Sequence, residues 1–154
     1  MEDDYESSYV PMVSNNIDDC EWIMDFGFSF YMTPNCLWFQ EFTQLEGSSI
    51  LLGDNQAYKI IGVGTIKFHL HDGIDRVLEK LRFVPSLKHN LISLGELENK
   101  RYVFKGEQGM LKMVKESMEV MKGVRKFSQY AYQGVVVLAQ HLLLKKMARY
   151  DIES

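Results

Sequence analysis

From Glu21 onward the chain breaks into short apolar runs, WIMD, SSILLGD, AYKIIG, GTIKFHL, RVLEKLRFV, RYVF and MLKMV, separated by breaks that carry Gly, Asn, Asp or Pro. Runs of this length suit strands joined by tight turns better than helices. In GTIKFHL, Ile66, Phe68 and Leu70 alternate with Lys67 and His69, the two-residue period of a strand with one wet face. Asp72-Gly73 then marks a hairpin into RVLEKLRFV, since Gly takes the backbone angles that such a turn needs. The expected fold class is mostly β, built largely from antiparallel pairs.

Two segments depart from that pattern. After Pro85, NLISLGELEN sets Leu91, Leu94 and Leu97 at every third position, which predicts a short helix or helical turn starting at the capping residue Asn90, with the leucines in the core. Residues 1–20 are acidic, rich in Ser and Asn and poor in periodic apolar residues, as expected of a disordered arm. Residues 21–125 form the expected barrel domain, and 126–154 a C-terminal extension in which VVVLAQHLLLKKMARY is read as an amphipathic helix or a docking strand. Gln140 and His141 interrupt its apolar run, well short of the ~20 residues that span a bilayer, so no membrane role is expected.

With 154 residues, 46% of them hydrophobic, the chain can bury a core of its own. A formal net charge of -4 gives no reason to expect attraction to phosphate backbones, which excludes nucleic acid as the implied ligand. Cys20 and Cys36 lie 16 positions apart with no CxxC, and no apolar leader precedes them. A reduced, intracellular and cytoplasmic setting is expected, with both residues as thiols.

The candidate chemistry begins at Asp25, which follows the apolar pair Ile23 and Met24 and precedes Phe26 and Gly27. An Asp at a strand end followed two places later by Gly can present its carboxylate on a tight turn. The plain alternative is that Asp25 only builds the turn. Gly62 and Gly64 could likewise mark a bulge or a twisted hairpin. His69 and His71 share a strand face, yet no Cys or carboxylate cluster accompanies them, so neither a metal nor another cofactor is expected. Trp38, Phe39 and Phe42 have a helical or turn spacing and are expected to pack the base of the core. Asp25-Phe26-Gly27 spells the metal-binding triplet of protein kinases, but no His-Arg-Asp segment occurs and Gly62-Val63-Gly64 follows the triplet where a kinase glycine loop would precede it.

WIMDFGFSFYMTPN, EGSSILLGD, YKIIGVGTIKFHLHDG, LRFVPSLKHNLISLGELENK and MLKMVKESMEVMKG, in that order, resemble the protease region of copia-type, Tnt-like retrotransposon Gag-Pol polyproteins. The resemblance covers roughly residues 21 to 125. It implies a retropepsin-like closed β-barrel acting as a homodimer on an extended peptide, with Asp25 as the catalytic acid and Gly27 as the glycine of the Asp-Ser/Thr-Gly signature. It implies further that Gly62, Val63 and Gly64 form the flap tip, and that Ile92, Ser93, Leu94 and Gly95 pack beneath the active-site loop. Two carboxylates must share one proton for this chemistry, so a second copy of Asp25 would have to come from a partner across a two-fold axis.

Several residues depart from the family's pattern. Phe26 stands where the resemblance calls for Ser or Thr, and cannot make the hydrogen bond across the dimer. Such a loss costs about 1–3 kcal/mol per subunit. Phe28 replaces a small residue at the cleft floor, where overpacking costs ~1–3 kcal/mol. Tyr31 takes the place of a usual His, and Arg101 that of a Gly after the short helix. Two readings follow: an aspartic endopeptidase for polyprotein processing, impaired by Phe26 and Phe28, or a non-catalytic barrel remnant retained for self-association or peptide binding.

Overall fold

A computed structural model describes residues 17–126 and 128–138. The strands are β1 (Ile17–Asp25), β2 (Met32–Thr33), β3 (Phe39–Leu51), β4 (Ala57–His69), β5 (Asp75–Phe83), β6 (Asn90–Ser93), β7 (Val103–Glu107), β8 (Met110–Lys115), β9 (Met118–Lys126) and β10 (Gln129–Val137). One α-helix, α1 (Leu94–Asn99), follows β6, and a 3-10 turn covers Cys36–Trp38. The chain is mostly β, as its short alternating runs predict.

All the strands join one sheet in the order β3-β4-β5-β2-β6-β1-β10-β9-β8-β7. Most neighbours are antiparallel, but β1 runs parallel to β6 and β2 parallel to β5. β10 pairs along its length with β1 and also meets β4, through Val136 opposite Phe68 and Val137 opposite Lys67. The pairings from β4 through β5, β2, β6, β1 and β10 thus lead back to β4.

The turns follow the sequence signals closely. Between β4 and β5, Gly73 at φ +83 donates its N–H to the Leu70 carbonyl at 2.9 Å. Between β3 and β4, Asn55 at φ 63 donates to the Leu52 carbonyl at 2.8 Å. The core fills the space inside the sheet around Trp22, whose ring meets Phe68 edge-on at 5.1 Å and lies 5.7 Å from Trp38. Phe39 and Phe83 extend this cluster, while Phe42 leaves the expected helical spacing and lies on β3.

Three expectations change. AYKIIG and GTIKFHL form one strand, not two. Asn90 does not cap the helix: Asn90–Ser93 is a strand, and Ser93 is the cap, its Oγ accepting the Glu96 N–H at 3.2 Å. Leu91, Leu94 and Leu97 are nevertheless all buried. The domain limits also move, because Ile17–Cys20 belongs to β1 and Gln129–Val137 to β10, which pair with each other from Tyr130–Met24 to Val137–Ile17. The docking-strand reading of VVVLAQHLLLKKMARY meets β10 only at Val135–Val137, and neither the rest of the strand nor its partner was legible in the sequence. The remainder of the arm and of the C-terminal extension, residues 1–16 and 139–154, lies outside the described residues.

Candidate functional site

β1 ends at Asp25 and β6 ends at Ser93, and the parallel register sets these residues side by side, with Met24 beside Ile92. Ile92, Ser93 and Leu94 are buried directly against the strand that carries the acid. Gly95 lies in the first turn of α1, where a Cβ would reach only Ser93 Oγ, at 3.8 Å. The sequence thus brings Asp25 and the Ile92–Gly95 element together from positions far apart in the chain.

Asp25 is half-buried and closes its own turn: its Oδ1 accepts the Gly27 N–H at 3.1 Å. This is the local bond that makes Asp a turn residue. Gly27 is not at positive φ, and a Cβ there would sit 3.6 Å from Asp25 Oδ2, an ordinary contact. The glycine therefore leaves the carboxylate uncovered and is not required by backbone strain. No hydrogen bond or ion pair engages Asp25 Oδ2 among the described residues.

Gly62, Val63 and Gly64 do not form a hairpin tip. They lie within β4, paired on one side with Gln44, Thr43 and Phe42 and on the other with Phe83, Arg82 and Leu81. A Cβ at Gly64 would lie 1.9 Å from the Glu41 carbonyl oxygen, and one at Gly62 would lie 2.2 Å from the Phe42 ring. Close approach of backbone and ring requires these glycines. The tip of the long β3–β4 hairpin is instead Leu52–Gln56. Asp54 Oδ1 accepts the Gln56 N–H at 3.1 Å, and Asp54 Oδ2 accepts from the Tyr58 hydroxyl. The Tyr58 bond is the main cause that holds the Asp54 carboxyl below its ordinary value and the Tyr58 phenol above its own. The LLGDN sequence carried this turn signal.

Between that tip and the acid-bearing strand lies a cleft of about 320 Å³, lined by Ile23, Phe28, Leu52, Tyr58, Leu87 and Leu91, with Asp54, Lys88, His89 and Gln129 adding polar groups. Ile23 and Asp25 point to the same face of β1 by strand alternation, although Asp25 itself does not line the cleft. Phe28 reaches into it. Phe26 is 57% exposed and packs edge-on against Phe104 of β7, ring centres 5.5 Å apart. The roles of Phe104, Leu87 and Gln129 depend on folding and had no sequence signal.

The two histidines do not share a strand face: β4 ends at His69, and His71 falls in the turn before β5. His69 Nδ1 lies 2.6 Å from Asp75 Oδ1, and the His71 ring tilts against Tyr132. Among the described residues no group of three or more His, Cys, Asp or Glu side chains is placed to hold a metal ion. Cys20 Sγ accepts the Trp22 indole N–H at 2.9 Å. No helix among the described residues is long and apolar enough to cross a membrane.

Residues 22–102, from the core tryptophan of β1 to the residue before β7, match the family described as Pol polyprotein, beta-barrel domain. The chain belongs to this family. The matched segment contains the acid turn, the β3–β4 hairpin and the β6–α1 element, while β7 to β10 lie outside it and complete the same sheet. The retrovirus-related Pol polyprotein from transposon TNT 1-94 of Nicotiana tabacum is 29% identical over 112 residues, 73% of this chain and 8% of that protein. The Pol β-barrel domain described here therefore spans a small part of that relative. No solved structure matches the chain.

Proposed function

We propose that this domain is the aspartic-endopeptidase-like, retropepsin-like segment of a copia-type Pol polyprotein, with its acid turn retained and its peptide hydrolysis impaired. The observation that carries the reading is Asp25, held by one oxygen in its turn, beside Ser93 and with Oδ2 left without a partner among the described residues. A carboxylate must keep such an oxygen accessible to exchange a proton with water or substrate. The return of the strand pairings through β10 to β4 supports a closed barrel. In this reading the β3–β4 hairpin, with its tip at Leu52–Gln56, is the flap over an extended peptide, and two copies of Asp25 meet in a homodimer that matures the polyprotein. No cofactor takes part.

Phe26 and Phe28 favour a second reading, a non-catalytic remnant kept for self-association or peptide binding. Phe28 fills part of the cleft that a peptide would enter, and exposed Phe26 offers an apolar ring where a hydroxyl would join the two turns. A displacement of ~1 Å in the reacting groups can lower a rate about a hundredfold. An assay on junction peptides of the polyprotein separates the two readings. Cleavage by the unaltered chain that vanishes in Asp25→Asn supports the enzyme. Cleavage that appears only in Phe26→Ser with Phe28→Ala supports the remnant. Failure of the doubly altered chain, folded and dimeric, to cleave any junction rejects the protease ancestry of the turn.

A further inference from the structure

The sheet ends in two outer strands, β3 and β7, and they are built differently. β3 is broken by register shifts between Phe39 and Glu41 and between Gln44 and Ser48. Bulges of this kind keep an outer strand from pairing with another chain. β7 has none: Val103 to Glu107 pair with Val114 to Met110 without a shift, and no strand among the described residues lies beyond it.

The β7–β8 turn fixes which backbone groups face outward. Gln108 at φ 53 and Gly109 at φ 77 form a two-residue loop, which makes Glu107 and Met110 the hydrogen-bonded pair that closes the hairpin. The alternation of an antiparallel ladder then commits the N–H and C=O groups of Val103, Lys105 and Glu107 to β8, and turns those of Phe104 and Gly106 to the open edge. Val103, Lys105 and Glu107 share one face of the strand. Val103 is 57% exposed there, Lys105 carries no ion pair among the described residues, and Glu107 engages Lys112 through Oε1 alone, at 3.1 Å. On the other face Phe104 packs on Phe26, which ties this edge to the acid turn.

Such a strand is complementary to itself. When two copies of β7 lie antiparallel with Gly106 opposite Gly106, their outward backbone groups form a hydrogen-bonded pair. The flanking pairs, where side chains come closest, then set Lys105 of each copy against Glu107 of the other, as a two-fold axis requires. A slip that places Lys105 opposite Lys105 would bring like charges together. An edge lysine discourages indiscriminate pairing, and Glu107 lifts that barrier in one register. Gly106 leaves the crossing point clear, since even a Cβ there would meet nothing within 4 Å.

We propose that β7 is the surface on which this chain pairs with a second copy, strand to strand and antiparallel about Gly106. The inference rests on the self-association in the proposed function and gives it a place in the sheet; it does not require that a peptide be cleaved.

The test follows the whole chain from about 5 to about 500 µM by sedimentation equilibrium, with amide hydrogen exchange measured at both ends of the range. The expected result is a monomer–dimer equilibrium with a dissociation constant on the order of 100 µM, because so short a strand pair makes a small interface. Protection of the Phe104 and Gly106 amides is expected only at high concentration, and that of the Lys105 and Glu107 amides, bonded within the hairpin, throughout. Gly106→Pro removes an outward N–H and no hairpin bond, so it is expected to abolish dimerisation while the urea midpoint holds. Lys105→Glu and Glu107→Lys are each expected to weaken self-association about ten-fold, and an equimolar mixture of the two variants to associate again. A chain that stays monomeric throughout would overturn this surface and the homodimer together. A dimer indifferent to Gly106→Pro would overturn the surface and leave the homodimer standing. Protection of Phe104 and Gly106 that appears only when a junction peptide is added would make an extended peptide the occupant and overturn pairing with a second copy.

Discussion

Asp25 and Asp72 stand in turns closed by the same bond: each accepts, through Oδ1, the backbone N–H two residues further on, at 3.1 Å in both. They differ in the second oxygen. Asp72 Oδ2 takes the Arg76 guanidinium at 2.8 Å, and Asp54 in the hairpin tip repeats the arrangement with Tyr58. Asp25 Oδ2 has no such partner among the described residues. Burial pushes the Asp72 carboxyl up, but the Arg76 bond and the Ile74 N–H outweigh it and leave the group below its ordinary value. In the proposed reading one local device serves two ends. A turn acid with both oxygens engaged is structural, whereas one with an open oxygen can do chemistry.

That contrast breaks most visibly in catalysis. In the chain carrying Phe26→Ser and Phe28→Ala, adding Asp25→Asn is expected to lower junction-peptide cleavage by about 10²–10⁴-fold, while adding Asp72→Asn changes it by no more than about two-fold. Equal losses from the two, measured as kcat/KM on one peptide, would remove the distinction. The next largest effect concerns the glycines. Gly64→Ala is expected to destabilise by about 3 kcal/mol, since its Cβ meets backbone, and Gly27→Ala by no more than about 0.5 kcal/mol. Urea denaturation read by tryptophan fluorescence checks both, and a costly Gly27→Ala would show that the acid turn is strained after all.

A smaller effect belongs to Arg101, which follows α1 at φ 72, a conformation that Gly adopts freely. Arg101→Gly is expected to stabilise by up to about 1 kcal/mol in the same denaturation. The smallest effect is electrostatic and sharpens the pairing at Asp72. Its folded value lies below the ordinary 3.8, so its contribution to stability is present above about that pH and is lost as pH falls through the lowered value. Asp72→Asn is therefore expected to flatten the acid limb of a stability-pH curve below pH ~4. An unchanged limb would mean that Arg76 does not hold the carboxylate in solution.

Much of the sheet was legible because strand alternation and turn chemistry are local. Ile66, Phe68 and Leu70 showed their buried face directly, and Asp72-Gly73 its hairpin. The flap-tip reading of Gly62 and Gly64 was misplaced, while the bulge reading fits the register shift between Gly64 and Ile66; glycine serves both tight turns and close packing, and only the identity of the neighbours separates the two uses. Here the neighbours are the Glu41 carbonyl and the Phe42 ring, on another strand. Asn90 was read as a cap because it precedes periodic leucines, but its side chain instead binds Thr33 and the Glu21 carbonyl. Those partners are remote in sequence. The acid turn was legible from Asp25 and Gly27 themselves, but the Ile92–Gly95 support was named from the resemblance, which composition and spacing alone did not supply.

By itself the sequence determined a mostly β chain, the positions of its sharpest turns and the unusual bulk of Phe26 and Phe28 beside the acid, since each depends on residues close together along the backbone. Only the tertiary structure decided that β10 lies between β1 and β9, that Asp25 stands beside Ser93, that Phe28 enters the cleft and that the Tyr31 hydroxyl is buried without a hydrogen-bond partner among the described residues. The physical reason is that strand pairing and cavity shape are set by which surfaces exclude water together, and those surfaces are contributed by segments whose spacing along the chain carries no mark of their meeting.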